Sequence, residues 1–230
     1  MKIFHFIKSI FPESFLYHYY SISRMSYSQI GQDIWVYKDV FKEKRNGFFV
    51  EIGSADGITL SNTFLLESKF NWKGVCIEAN PHYFTLLNKF RKVECVNACI
   101  DEVNGEVVFH SNGLESGIIF NESAESFKNT DNTNIFKIQS YSLSSVFEKY
   151  NLPSIVDYLS IDIEGAEWIA LKNFPFEKYR FNCITIERPN KDVRELLHKN
   201  GYIIVKEFEE LDVYYIHVDF MDTYKKNQQN

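Results

Sequence analysis

Four carboxylates in this chain stand where apolar runs stop. Phe48-Phe49-Val50 leads into Glu51, Gly74-Val75-Cys76-Ile77 into Glu78, Leu159-Ser160-Ile161 into Asp162, and Cys183-Ile184-Thr185-Ile186 into Glu187. A short apolar run reads as a buried strand, and its last residue then falls at the carboxyl edge of the sheet, where open α/β sheets bind ligands. After Glu51 the chain continues Ile52-Gly53-Ser54-Ala55-Asp56-Gly57. Glycines at such a turn let the backbone bend sharply and let a bulky cofactor approach with no Cβ in the way. At the tip of the next strand, the Glu78 carboxylate is placed to accept hydrogen bonds from both hydroxyls of a ribose. The loop is not Gly-x-Gly-x-x-Gly, so the dinucleotide fingerprint is missing. A cofactor with a ribose and no pyrophosphate is implied, and S-adenosylmethionine fits.

A second acidic stretch, Asp162-Ile163-Glu164-Gly165-Ala166-Glu167, crowds three carboxylates into six residues. Such crowding is costly unless the groups bind a cation, a basic group or hydroxyls. If the strands ending in Asp162 and Glu187 are neighbours, these two carboxylates lie side by side. The pair could hold Mg²⁺ or Mn²⁺, hard ions that take oxygen ligands, or supply a general base toward a hydroxyl. Glu187 could instead pair with Arg188, and Glu167 could simply favour the first turn of its helix. His110 closes a strand near a presumed lid as a candidate base or ligand. Ser28, Gln32 and Asp33 could fold over one end of the cofactor or cap a helix. Asn62 and Thr63 face the same choice.

The elements that must position these groups follow from periodicity. Strands are predicted at 48–52, 74–78, 93–97, 157–162 and 182–187, with helices at 61–69, 81–90, 142–150, 166–172 and 190–199. Two closing strands, 202–208 and 213–218, form a terminal hairpin. Alternating strands and helices signal a parallel sheet in an α/β domain. Ser28 to Val40 reads as a further helix ahead of the first strand. The stretch 101–140 breaks the alternation and reads as an insertion or lid over the carboxyl edge. Within it, Glu106–His110 is a strand, 113–120 a loop or strand, and 121–134 a mobile excursion. Residues 1–27 form an aromatic-rich helical arm ahead of a domain at 28–220, and 221–230 reads as a disordered polar tail.

Composition narrows the class. The chain has 230 residues, which suits one domain, and its net charge of -6 argues against a general nucleic-acid binder. Cys76, Cys95, Cys99 and Cys183 lie in apolar segments with no Cys-x-x-Cys pair, which argues against zinc and for buried thiols in a reducing compartment. Lys2, His5 and Lys8 interrupt the N-terminal apolar residues, so no signal-peptide core forms, and a cytoplasmic location is expected. The arm could rest peripherally on a membrane surface or pack on the domain or a second subunit of a homo-oligomer.

Taken together, the sequence resembles the FkbM family of S-adenosylmethionine-dependent methyltransferases. The blocks that carry the resemblance are Ser28-Gln29-x-Gly31-Gln32-Asp33, Phe49-Val50-Glu51-Ile52-Gly53-x-x-Asp56-Gly57, Ser61-Asn62-Thr63, Gly74-Val75-Cys76-Ile77-Glu78-Ala79-Asn80-Pro81, Asn97-Ala98 and Leu159-Ser160-Ile161-Asp162-Ile163-Glu164-Gly165-Ala166-Glu167. The likeness implies a Rossmann-like class I sheet of seven mostly parallel strands flanked by helices, with the last strand pair reversing direction. It implies that Gln32, Glu51, Gly53, Ser54, Asp56, Gly57, Asn62, Thr63, Glu78, Ala79, Asn97, Ala98 and Asp162 serve the cofactor. It also implies that Asp162 and Glu187 face a reacting hydroxyl, on a small-molecule or glycan acceptor such as a carbohydrate of polysaccharide biosynthesis. The alternatives are an N- or carboxyl-methyltransferase of another small molecule, or a scaffold that binds cofactor without turnover. A nucleic-acid methyltransferase would often show Asn/Asp-Pro-Pro-Tyr/Phe where this chain has Asp162-Ile163-Glu164-Gly165.

Overall fold

The apolar runs assemble into a seven-stranded sheet of order β10-β11-β9-β8-β1-β2-β3. Its strands are β1 (Phe48–Ile52), β2 (Lys73–Glu78), β3 (Glu94–Asn97), β8 (Ile155–Ile161), β9 (Arg180–Glu187), β10 (Tyr202–Glu207) and β11 (Asp212–His217). The computed structural model describes residues 26–111, 117–118 and 134–229. β3, β2, β1, β8 and β9 run parallel. Only β11 opposes them. It pairs antiparallel with both β9 and β10, which gives the expected antiparallel terminal hairpin and returns β10 to the common direction.

Between the strands lie α2 (Phe64–Phe70), α3 (Pro81–Phe90), α4 (Leu143–Lys149), α5 (Glu167–Leu171) and α6 (Lys191–Lys199), preceded by α1 (Gln32–Ile34). Three of these starts are fixed by side-chain caps. Asn80 accepts from the His82 N–H with Pro81 in the first turn, Ser142 from the Ser145 N–H, and Asn190 from the Val193 N–H. Strand alternation splits the core into two layers. Val50 and Ile52 pack with Leu143, Phe147 and Phe181 on one face, and Phe49 packs with Trp35, Trp72, Tyr158 and Tyr214 on the other.

The structure departs from the sequence reading in four places. The helix expected from Ser28 begins at Gln32 and continues as a π-helical segment, Trp35–Val40. Its delayed start has a cause. Ser26 Oγ, the Tyr27 N–H and Ser28 Oγ all donate to the buried Asp33 carboxylate, which folds 26–33 into a knot. The polar tail is not disordered. Met221–Gln229 forms α7, whose Asn227 and Gln228 amides donate to the carbonyls of Val40 and Asp39, both at 2.7 Å. These carbonyls lie at the end of the π-helical segment, where a helix leaves acceptors unpaired. The break at 101–140 is a second, four-stranded sheet of order β4-β7-β5-β6, built from Cys99–Ile100, Ile135–Tyr141 (β7), Gly105–His110 (β5) and Gly117–Ile118. The strand Ile135–Tyr141 was not expected. The arm at 1–25 and most of the excursion at 121–134 lie outside the described residues. Among the described residues, no helix is long and apolar enough to cross a membrane.

Candidate active site

A cavity of about 350 Å³ opens at the carboxyl edge of the main sheet, where β1 separates β2 from β8. This is the topological switch point of the sheet. Among the sequence-predicted residues, Gly53, Ser54, Asp56, Glu78, Ala79, Ala98, Asp162 and Glu187 line it. Gln29, Cys99 and Ile100, from stretches the sequence places near the cofactor, complete much of the wall with Tyr83 and Phe109, which sequence reasoning missed.

On the β2 side the Glu78 carboxylate is held from behind. Its oxygens accept from the Ala55 N–H at 2.8 Å and the Asn80 N–H at 2.7 Å. Burial raises its pKa, and these hydrogen bonds oppose the rise. Each carboxylate oxygen can accept more than one hydrogen bond, so Glu78 retains acceptor capacity toward the cavity. Ala79, Ala98, Cys99, Ile100 and Phe109 form an apolar wall beside it.

Gly53 has a φ of +83°, and a Cβ built there would lie 1.7 Å from the carbonyl oxygen of Asp162. Glycine is therefore required by the neighbouring strand end as well as by the turn. The same contact brings Asp162 against the glycine loop, and its N–H extends the ladder by donating to Ile52 O at 3.0 Å.

Asp162 follows β8 directly and Glu187 ends β9, and the register Ile161↔Ile186 sets the two side by side. With Glu164 they bring three carboxylate oxygens within 4.8 Å of one another. Burial, then the adjoining Glu187, pushes the Asp162 carboxyl well above the ordinary carboxylate range. Arg188 reaches in from the rim, donating to Glu187 at 2.6 Å and to Glu164 at 3.0 Å. Behind Glu187 stands Asp212, its register partner at the start of β11. Burial pushes Asp212 up to about 6, while the hydrogen bond from Gln32 acts in the opposite direction. A strand that starts antiparallel beside the end of β9 must begin next to Glu187, and that was the available signal for Asp212.

Seven expected site residues sit off the cavity wall. Glu51 faces inward and accepts from Ser61 Oγ, the Asn62 N–H, Thr63 Oγ1 and Arg91 Nη1. Asn62 donates to Ser160 while its Oδ1 is buried without a partner among the described residues, and Thr63 is spent on Glu51 and Arg91. A Cβ on Gly57 would strike Leu87 and Arg91, so that glycine serves packing against α3. Gln32 has both ends of its amide engaged, by Asp212 and by the Ile30 N–H. The Asn97 amide braces the carbonyls of Glu78 and Ala79. His110 ends β5 one residue beyond the cavity-lining Phe109, and alternation along a strand turns it to the other face. Off the wall too, Glu167 accepts from the Gly165 N–H at 3.0 Å and stabilises its own turn. Arg91, with no exposed side-chain surface, was missed altogether and pairs with both Glu51 and Glu67.

Strand order, switch-point cavity and glycine loop together define a Rossmann-like class I methyltransferase. The chain belongs to the FkbM methyltransferase family, whose "Methyltransferase FkbM domain" signature matches residues 51–204. It is an S-adenosylmethionine-dependent enzyme of that type. Similar solved structures include precorrin-6y C5,15-methyltransferase from Geobacter metallireducens GS-15, at 15% identity and TM-score 0.42 over 80% of this chain and 85% of that one. Methyltransferase FkbM from Methylobacillus flagellatus KT aligns at 13% identity and TM-score 0.47, over 78% of this chain and 47% of that one, so this chain spans about half its length. M. capricolum TrmK, solved with S-adenosylhomocysteine, aligns at 14% identity and TM-score 0.41, over 84% of this chain and 70% of that one. No curated protein sequence matches the chain.

Proposed function

We propose that the enzyme transfers a methyl group to a hydroxyl of a carbohydrate or glycoconjugate precursor, with Asp162 as general base. The observation that supports this reading most is the Asp162–Glu187 pair on the cavity wall, with Asp162 against the glycine loop. S-adenosylmethionine supplies a methyl group on a sulfonium, already activated for displacement. What remains for the protein is alignment and removal of one proton. Alignment in a near-attack geometry contributes roughly 7–11 kcal/mol in well-oriented systems. Glu78 would take the ribose hydroxyls, and the apolar wall from Ala79 to Phe109 would hold the adenine. Burial and Glu187 raise the pKa of Asp162 well above the ordinary carboxylate range, so its ionised form is a stronger base than an ordinary carboxylate and turnover should rise with pH as it loses its proton.

A second reading rests on the same oxygens. Asp162, Glu164 and Glu187 offer an all-oxygen donor set of the kind that binds Mg²⁺ or Mn²⁺, which would lower the pKa of a coordinated alcohol. The enzyme would act in the cytoplasm on a small or glycan acceptor, without nucleic acid.

Asp162→Asn tests the base. Turnover should fall by about 10²–10⁴-fold, while calorimetric titration with S-adenosylhomocysteine gives an unchanged Kd. Full activity would remove Asp162 from the chemistry. Absence of cofactor binding in the folded wild-type protein would favour a scaffold instead. Activity unaffected by exhaustive chelation keeps the base reading, whereas loss restored by Mg²⁺ or Mn²⁺ moves the role to the ion.

A further inference from the structure

S-adenosylmethionine has a nucleoside end and an amino-acid end, and Glu78 accounts only for the first. With the ribose on Glu78 at the tip of β2 and the sulfonium toward Asp162, the amino-acid end extends away from β2. Its ammonium meets a wall rich in acceptors. Its carboxylate needs donors, and these are scarce. The described residues of the wall include no Lys, Arg or His. Its Ser and Thr hydroxyls are committed within the chain: Ser54 Oγ donates to Glu51 O, Ser61 Oγ to the Glu51 carboxylate and Thr59 Oγ1 to Asp56. The N–H groups of the glycine loop are largely turned inward as well. Gly53 and Ser54 donate to Ile77 O, Ala55 to Glu78, and Ile58 and Thr59 to Asp56. Asp162 offers a proton only in its acid form, which is not the form that accepts one from a hydroxyl. Among the described side chains of the wall, the uncommitted hydroxyl and amide donors are the Tyr83 phenol and the Gln29 amide, neither of which bonds to a described residue.

Position separates these two. Tyr83 lies on α3, which follows β2, and so stands with Glu78 at the nucleoside end. Gln29 stands at the other. Ser28 forms a lone bridge with Leu60, beyond the glycine loop, and Gln32 donates to Asp212 at the start of β11. The segment between them therefore crosses the half of the cavity away from β2. The chain on either side of Gln29 is fixed, with Ser28 Oγ donating to Asp33 at 2.6 Å and the Ile30 N–H to Gln32 Oε1 at 3.0 Å. An exposed, unbonded amide on so firmly held a segment meets a ligand at little cost in backbone entropy. We propose that the Gln29 side-chain amide donates to the carboxylate at the amino-acid end of the cofactor. Glu78 and Gln29 then grip the cofactor at its two ends, with the sulfonium between them. This inference rests on the cofactor reading and on the assignment of the ribose to Glu78.

The test compares two ligands of the full-length protein by calorimetry. One is S-adenosylhomocysteine; the other is its decarboxylated analogue, which keeps the adenosine, sulfur and amine and lacks only the carboxylate. Gln29→Leu removes the amide donors at similar size. It should raise the Kd of S-adenosylhomocysteine about tenfold and leave that of the analogue within about twofold. Gln29→Glu puts like charge against the carboxylate, so it should weaken S-adenosylhomocysteine more than Gln29→Leu does and leave the analogue bound. Retained affinity for the analogue shows at the same time that the variant is folded. An equal loss on both ligands, in a variant that melts like the wild type, would make Gln29 a brace for its own segment and overturn the proposal. So would an unchanged affinity for S-adenosylhomocysteine in Gln29→Leu. Glu78→Ala, measured on the analogue, tests the ribose assignment by itself and so separates its failure from this one. A folded wild-type protein that binds neither ligand overturns both.

Discussion

On the β1–β2 side of the cavity, Glu51 is buried among four donors, one of them the fully buried Arg91, and Glu78 is anchored by two backbone N–H groups. On the β8–β9 side, Asp162, Glu187 and Asp212 lie in consecutive register positions, and the partners they meet are largely one another, with Gln32 and rim-exposed Arg188 beyond. Both sides place carboxylates at the carboxyl edge of the sheet. What differs is whether donors come with them. A carboxylate surrounded by donors is a fixed acceptor that builds a binding surface. There burial, with neighbouring carboxylates adding to it, lets Asp162 and Asp212 hold protons at pH values where they would ordinarily have lost them, and so equips them to exchange protons.

Breaking the compensated side should have the largest effect. Arg91→Ala leaves Glu51 and Glu67 buried without their cation, and urea denaturation should show a loss of about 3–5 kcal/mol. A loss below about 1 kcal/mol would mean that water or the hydroxyls of Ser61 and Thr63 carry the compensation. Next comes the anchored acceptor. Glu78→Ala should weaken S-adenosylhomocysteine binding by about 1.5–3 kcal/mol with the fold intact, and an unchanged Kd would contradict the ribose assignment.

The smallest effect sharpens the uncompensated side. Asp162 has a raised pKa in the folded protein, so its contribution to stability is present below the unfolded pKa and is lost as pH rises through the folded value. Asp162→Asn removes that loss. The variant should match the wild type in Tm near pH 4. At pH 8 it should exceed it by roughly 1 kcal/mol, about 2–4 °C. A variant less stable than the wild type at pH 8 would show that the carboxylate is already compensated.

The sequence made the strand ends readable because apolar runs and acidic stops are local patterns. Asp162 and Glu187 were placed together correctly for the same reason, once their strands were assumed adjacent. What escaped depends on contacts between distant residues. Glu51 reads like a cofactor ligand until Arg91, forty residues on, is seen to reach it. Gly57 reads as a cofactor-loop glycine, yet its constraint comes from Leu87 on α3 and Arg91 just beyond it. β7 was overlooked because Ile135–Tyr141 borders a polar stretch and pairs with strands of a separate sheet. The tail read as disordered because its own composition is polar, and the carbonyls that order it belong to Asp39 and Val40.

The contact between Gly53 and the Asp162 carbonyl also bears on how relatives of this enzyme can diverge. Every amino acid carries that carbonyl, so changing the side chain at 162 does nothing to free position 53. On the proposed role of Asp162 as base, a lineage that lost catalysis by replacing the aspartate would still be held to glycine there, for as long as it kept the fold. The glycine loop would then be a record of architecture and the side chain at 162 a record of turnover, and a retired member of the family would keep the first while losing the second.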